Sequence, residues 1–313
     1  MAGKGEEHSM SELVSTVMSL YKPDEGYLAE QLDTIDAQDY SDMEVVVYND
    51  CPEDEDRSVF CLSHCRRHPV RYFHGTENLG YVKAFEKLVG LARGDVIAFS
   101  DQDDCWLPGR ISEGLKPLRN GCLLSVCDRM VIDGEGRVAV ESWRHANPKS
   151  PETNWNTGDH FVPWAVFSCF AIGMAIMVRS DVARSLMPFP TCTGHDKWLV
   201  LGANAMGDCA FVDQPLVQYR RHGTNVTGAF SGISCKADWR RTRVRDSLEL
   251  AQTFAERFPD SPDLPDIMAF AQAREDGNVA GMWRYRYLAP RVAEFEILTK
   301  HMPDWMFKKL LFR

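Results

Sequence analysis

The chain of 313 residues has no excess of positive charge, no C-x-x-C pair, no internal repeat and no low-complexity tract. Each absence removes a class of protein. With 35 Lys and Arg against 45 Asp and Glu, the net charge of −10 provides no concentrated basic face for nucleic acid, whose affinity comes largely from phosphate neutralisation and counterion release. No nucleic-acid partner is expected. Residues 1–11 form a polar tail with Glu6 and Glu7 where a secretory signal carries an apolar core, so the expected location is cytoplasmic. Ten cysteines without paired spacing do not make a disulfide framework and are read as reduced thiols.

Residues 161–178 run for 18 positions without a charge, the lower bound for a membrane span. Pro163, Ser168 and Gly173 interrupt them, and a span would put the candidate site residues before and after it on opposite sides of a membrane. Two buried segments around a loop are expected instead. Cys61, His64, Cys65 and His68 are spaced so that several soft ligands could share a helical face, but no distant second ligand pair follows, and an incidental cluster is the reading taken.

What is present suits an ordinary globular chain: 44% hydrophobic and 26% charged residues are enough for one large core with a smaller appendage. Residues 13–20 are β-branched and apolar, 21–26 hold a Pro/Gly turn, and Leu28, Leu32 and Ile35 recur at helical spacing. Residues 44–48 read as a short buried strand and 70–73 as another brief strand. A helix is expected over 81–92 and a further strand over 96–99. Strands alternating with helices up to about residue 105 predict an α/β fold with a mostly parallel sheet, its ligands at the carboxyl ends of the strands. Beyond it, short strands are expected over 123–127 and 171–178, with a long polar connection over 142–160 supplying the acceptor side. From Asp238 the chain is charged and helical. Its last 32 residues mix Trp283, Tyr285, Tyr287, Trp305, Phe307 and Phe312 with seven Lys and Arg, a pattern that lies on an anionic membrane surface or packs back on protein.

Asp101, Asp103 and Asp104 put three carboxylates into four residues at a strand end, where they raise one another's pKa unless a cation neutralises them. Hard oxygen ligands in a partial set suit magnesium or manganese with positions left for substrate phosphates. A solvated acidic loop is the alternative at this point, and for residues 53–56 it is the preferred reading.

Five ordered motifs then add up to a resemblance. Residues 13–50 (VSTVMSLYKP to EVVVYND), Asn78-Leu79-Gly80 with ARGDVIAFSDQDDCWLPGRI, FAIGMAIMVRSDVA, GHDKWL and YRRHGTNVTG resemble, over residues 13–228, the inverting family 2 glycosyltransferases of GT-A fold. Within that family, SDQDD with GHDKWL and YRRHG is most similar to bacterial rhamnosyltransferase-like enzymes of cell-surface polysaccharide assembly. The resemblance implies a GT-A domain over 12–228, a helical extension over 229–313, and transfer of a sugar from a nucleoside diphosphate donor to a saccharide or lipid-linked saccharide. Manganese or magnesium is the implied cofactor. Carried over residue by residue, Asp50 contacts the nucleobase with Tyr21 beside it, and Asn78, Gly80 and Lys83 lie in the donor-binding turn. Asp101 serves the ribose or the metal's surroundings, and Asp103 ligates the metal. His222 completes the metal site, Gly173 brings backbone near the donor sugar, and Asp196 is the catalytic base. Two departures stand out: His195 precedes the base where many relatives have Glu, and Lys22 follows Tyr21 where Asn is usual. Two rivals are a nucleotidyltransferase, for which SLYKPDEG is a poor phosphate loop, and a catalytically silent sugar-nucleotide-binding subunit.

Overall fold

The computed structural model describes residues 12–222 and 233–311. Among them nine strands form one sheet in the order β3-β2-β1-β4-β8-β6-β9-β5, with β7 paired to β6. The strands are β1 Val14–Leu20, β2 Met43–Asn49, β3 Val70–His74, β4 Val96–Ser100, β5 Cys105–Trp106, β6 Leu124–Ile132, β7 Val138–Val140, β8 Ile176–Arg179 and β9 Cys209–Arg220. As expected from the N-terminal pattern, β1 pairs in parallel with both β2 and β4, and β2 with β3. β2 is buried along its whole length, which is why Val45, Val46 and Val47 run together without alternation.

The parallel strands need crossovers, and helices supply them. Helix α1 (Glu25–Asp36) starts where the Asp24 side chain accepts from Tyr27 N, and it buries Leu28, Leu32 and Ile35. Helix α2 (Ser58–His64) buries Cys61, and α3 (Tyr81–Leu91) buries Val82, Phe85, Leu88 and Val89 on the sheet. The chain passes into α3 through Gly80 at φ 75°, a left-handed conformation that favours glycine. α4 (Arg110–Arg119) follows β5.

The second half of the sheet is mixed. β8 is antiparallel to β4 and β6, β6 is parallel to β9, and β5 is antiparallel to β9. The strand expected over 171–178 is confined to β8, because residues Gly173–Ala175 form a 3-10 turn before it. β9 was not expected at all. Asp213, Gln214 and Pro215 interrupt its pattern, and the structure absorbs them as register shifts opposite Asp128, where the ladder can spare a proline N–H. The charge-free run 161–178 contains the one-turn helix α6 (Val162–Ala165), the 3-10 turn and part of β8, and no described helix is long and apolar enough to cross a membrane. The long polar connection holds α5 (Trp143–Ala146). After β8 come α7 (Ser180–Ser185) and α8 (His195–Met206).

The C-terminal segment is helical: α9 (Lys236–Trp239), a π turn Arg240–Arg245, then α10 (Asp246–Arg257), α11 (Leu264–Glu275), α12 (Val279–Arg284), α13 (Pro290–Thr299) and α14 (Asp304–Leu311). It is not a loose appendage. Leu250, Ala251, Phe254, Ile267 and Ala271 join the main core, while Phe270, Met282 and Leu288 build a second one. The aromatics of the last helices divide: Phe307 is buried against Trp239 and Phe295, whereas Trp283, Tyr287 and Trp305 are exposed. The expected boundary at residue 228, the polar tail and Phe312 lie outside the described residues.

Candidate active site

Three parallel strands deliver candidate residues to one edge of the sheet. Tyr21 follows β1, Asp50 follows β2 and Asp101 follows β4. The Asp50 carboxylate is buried and accepts the backbone N–H groups of Leu79 at 2.8 Å and Gly80 at 2.9 Å. Burial pushes its pKa up, and these two bonds oppose the shift. Asn78 Oδ1 shares the Gly80 N–H at 3.0 Å, so Asp50 and Asn78 together fix the turn at the start of α3. Lys83, one turn into α3, is already engaged: its Nζ donates to Glu86 at 2.9 Å and to the Phe189 carbonyl at 2.7 Å.

The acidic turn is held from two sides. Gln102 accepts from Tyr21 N at 2.9 Å and donates to Tyr21 O at 3.2 Å, pairing with that residue as a neighbouring strand would. Asp104 is fully buried, and its Oδ1 accepts from Arg220 N at 2.8 Å. Burial, then Asp101 and Asp103, drive the Asp104 pKa well above the usual carboxylate range. The Arg220 side chain, also buried, donates from Nε to the Asp103 carbonyl at 2.9 Å, pairs with Glu30, and lies 4.5 Å from the Tyr27 ring centroid. Arg220 thereby neutralises part of the charge that makes this turn expensive to form.

Asp103 and His222 come together, Oδ2 to Nε2 at 2.8 Å, with His222 against the Tyr27 ring at 5.3 Å. One carboxylate and one imidazole nitrogen at this separation fit a divalent cation whose other ligands come from phosphate and water. Among the described residues no group of three or more His, Cys, Asp or Glu is arranged to hold a metal by itself. In the Cys61 to His68 cluster, the Cys65 thiol donates to Leu32 O, His64 pairs with Asp33, and burial pushes both thiols up to about 12.

Asp196 lies in the first turn of α8, its Oδ1 accepting from Lys197 N at 2.7 Å. Its charge bears on Asp101, whose pKa is pushed up to about 7 by burial first and then by Asp103 and Asp196. His195 beside it is a buried wedge. Its ring stacks on Phe85 at 4.1 Å and on Phe99 at 5.4 Å, neither nitrogen has a partner, and burial lowers its pKa to about 4. Gly173 sits against that ring, close enough that an added Cβ would be 3.0 Å from His195 Nε2. Gly173, His195 and Asp196 are thus neighbours.

Residues 15–184, a little over half of the chain, match the family described as Glycosyl transferase family 2. The chain belongs to that family. An uncharacterized family relative from Nostoc sp., named as a glycosyltransferase, is 23% identical over 64% of this chain and 62% of its own length. An uncharacterized glycosyltransferase of Methanocaldococcus jannaschii is 30% identical over 41% of this chain and 46% of its own. The matches therefore span less than two thirds of these relatives. Among solved structures, S. aureus TarS in complex with UDP-GlcNAc aligns with TM-score 0.61 over 90% of this chain and 82% of that one, at 12% identity. The mannosyltransferase PcManGT from Pyrobaculum calidifontis in complex with GDP-Man and Mn2+ aligns with TM-score 0.54 over 96% and 84%, at 18% identity. At such identities the likeness shows the fold, which is GT-A.

Within this family 2 chain, residue reasoning named Asp50, Asp101, Asp103 and Asp196 but gave no role to Gln102 or Arg220. Both stand inside quoted motifs, SDQDD and YRRHG. Their hydrogen bonds to Tyr21 and Asp104 depend on pairings 81 and 116 residues apart in the chain, for which local spacing carries no signal.

Proposed function

We propose that this chain is an inverting, metal-dependent glycosyltransferase that moves a sugar from a nucleoside diphosphate to a hydroxyl of a saccharide or lipid-linked saccharide. The observation that carries the reading is the Asp103–His222 pair, Oδ2 to Nε2 at 2.8 Å, on the acidic turn, with Asp196 against Gly173. The structures solved with UDP-GlcNAc and with GDP-Man and Mn2+ support a nucleotide-sugar donor for a chain of this fold. The similarity of SDQDD, GHDKWL and YRRHG to rhamnosyltransferase-like enzymes puts dTDP-rhamnose first among donors to test.

In this reading Tyr21 and Asp50 flank the nucleobase, Asn78 and Gly80 shape the donor turn, and Asp101 faces the ribose. Lys83 reaches phosphate only by leaving both Glu86 and the Phe189 carbonyl. Gly173 admits the donor sugar beside the neutral His195 ring. Asp103 and His222 hold the cation, which when bound supplies positive charge to the departing diphosphate. Asp196 takes the proton from the acceptor hydroxyl as its oxygen forms a bond to the anomeric carbon, and the bond from that carbon to the diphosphate breaks with its electron pair leaving on phosphate. Attack opposite the leaving group inverts the configuration. Gln102, Arg220 and Asp104 hold the turn in place.

The C-terminal helices favour a peripheral seat on the cytoplasmic face of the membrane. Trp305 is 68% exposed on α14 next to Lys308 and Lys309, and Arg286 covers the exposed Trp283 at 4.2 Å, an arrangement suited to an anionic lipid surface.

The test is release of nucleoside diphosphate from dTDP-, UDP- and GDP-sugars with manganese, for wild type and Asp196→Asn. Loss of a positioned base lowers turnover by about 10² to 10⁴ while donor binding persists. Full activity in Asp196→Asn, or no turnover of any donor, overturns the reading.

A further inference from the structure

Beside α8 is an open cleft of about 460 Å³ between the connection 149–164 and Phe170. Its floor is rigid. The Phe161 and Phe170 rings stack at 4.6 Å and 11°, and Trp155 packs on Phe161 while its Nε1 donates to the Phe170 carbonyl at 3.0 Å. Trp164 forms one wall. It remains 39% exposed, yet its Nε1 is fixed to the Tyr287 carbonyl at 3.0 Å, so an aromatic face is presented in one orientation. Lys149, Asn154 and Asp159 are exposed among the other lining residues and offer an ammonium, an amide and a carboxylate whose Oδ2 already accepts from Asn156 N at 2.7 Å.

That combination selects a chemical class. A fixed indole face suits the C–H face of a sugar ring, and neighbouring donors and acceptors suit hydroxyls, which both give and take hydrogen bonds. A phosphate would call for cations without the Asp159 carboxylate, and an alkyl chain would call for a wall free of Lys149 and Asn154.

The position selects a role. Asn204 on α8 accepts from Phe161 N at 2.8 Å and Val162 N at 3.1 Å and donates to the Asp159 carbonyl at 2.9 Å, clamping the cleft wall to the helix. Asn204 is eight residues beyond Asp196, about 12 Å along the helix axis. At the near end, the lining residue Phe170 stands three residues before Gly173, where an added Cβ would lie 4.0 Å from Asp196 Cβ. The cleft therefore leads away from the proposed base over a span that linked sugar rings cover and a monosaccharide does not.

We propose that this cleft is a saccharide subsite, holding a ring of the acceptor beyond the one that receives the transferred sugar, so that the acceptor is an oligosaccharide or glycan chain. The proposal rests on the glycosyltransferase reading for its direction, but saccharide binding can be measured without donor or turnover, and the two can fail separately.

The experiment titrates the full chain with gluco-, manno- and rhamno-oligosaccharides of increasing length, following tryptophan fluorescence and saturation-transfer NMR. Trisaccharides or longer are expected to bind and monosaccharides not to. Trp164→Ala should weaken binding about fivefold to tenfold, the loss of one stacked aromatic face, whereas Trp164→Phe keeps most of it. Asn154→Ala, on an exposed side chain, guards against misfolding and should weaken binding about threefold. Binding that ignores chain length, binding unchanged in both Trp164→Ala and Asn154→Ala, or no binding of any member at millimolar concentration overturns the proposal.

Discussion

Arg220 donates its backbone N–H to Asp104 Oδ1 at 2.8 Å, joining the end of β9 to the acidic turn across 116 residues of sequence. The same residue holds the Asp103 carbonyl through Nε. Replacing Arg220 by Ala leaves the backbone bond but strips the buried turn of its cation and leaves the Asp103 carbonyl unpaired. The expected cost is about 3 kcal/mol in urea unfolding, with manganese and nucleotide affinity falling together. Arg220→Lys should recover only part of this, because an ammonium cannot reproduce the guanidinium fork.

Gly194→Ala separates chemistry from stability. Gly194 has φ −70°, open to any residue, yet an added Cβ would lie 2.3 Å from Asp196 Oδ1. The carboxylate can swing away without disturbing the core. Turnover should drop about 10²-fold, as small misplacements of a reacting group do, while the thermal midpoint moves by less than about 2 °C. A normal rate in this variant would argue against the geometry assigned to Asp196.

His195 predicts a pH dependence of stability. Its folded pKa, about 4, lies below the ordinary histidine value of 6.5, so the unfolded chain binds the proton first as pH falls. The neutral folded form is unaffected above 6.5. Stability is lost between 6.5 and 4 and levels off below, on the order of 3 kcal/mol in all from this group. The difference between wild type and His195→Phe in urea midpoints across that range should isolate the slope, since the substitution keeps an aromatic ring between Phe85 and Phe99.

Asp103→Asn and His222→Ala should each weaken manganese binding in the presence of a nucleoside diphosphate by at least about tenfold. The measurement is the electron paramagnetic resonance signal of free Mn2+. Equal affinity in both variants would remove the Asp103–His222 pair from the metal site.

The first half of the fold was legible because parallel strands buried on both faces read as unbroken apolar runs, as in Val45, Val46 and Val47, and because Leu28, Leu32 and Ile35 keep helical period. β9 was not legible. Its pairing with β6 tolerates Asp213 and Pro215 only because the register shifts there, and that accommodation belongs to the partner strand rather than to the local sequence. In the site, strand ends pointed to Asp50 and Asp101, but the approach of Asp196 to Gly173 depends on how α8 packs against the 3-10 turn, which no local spacing records. The engagement of Lys83 had a visible sign in Glu86 three residues on, a spacing that pairs opposite charges on a helix.

The two hydrogen bonds between Gln102 and Tyr21 make the first loop and the acidic turn a single mechanical piece. If Tyr21 borders the nucleobase and Asp103 the cation, neither ligand can shift its own loop without shifting the other's. Linkage is then reciprocal: whatever factor manganese contributes to nucleotide affinity, the nucleotide returns to manganese, and cutting the bridge with Gln102→Ala should reduce both factors toward one by the same amount.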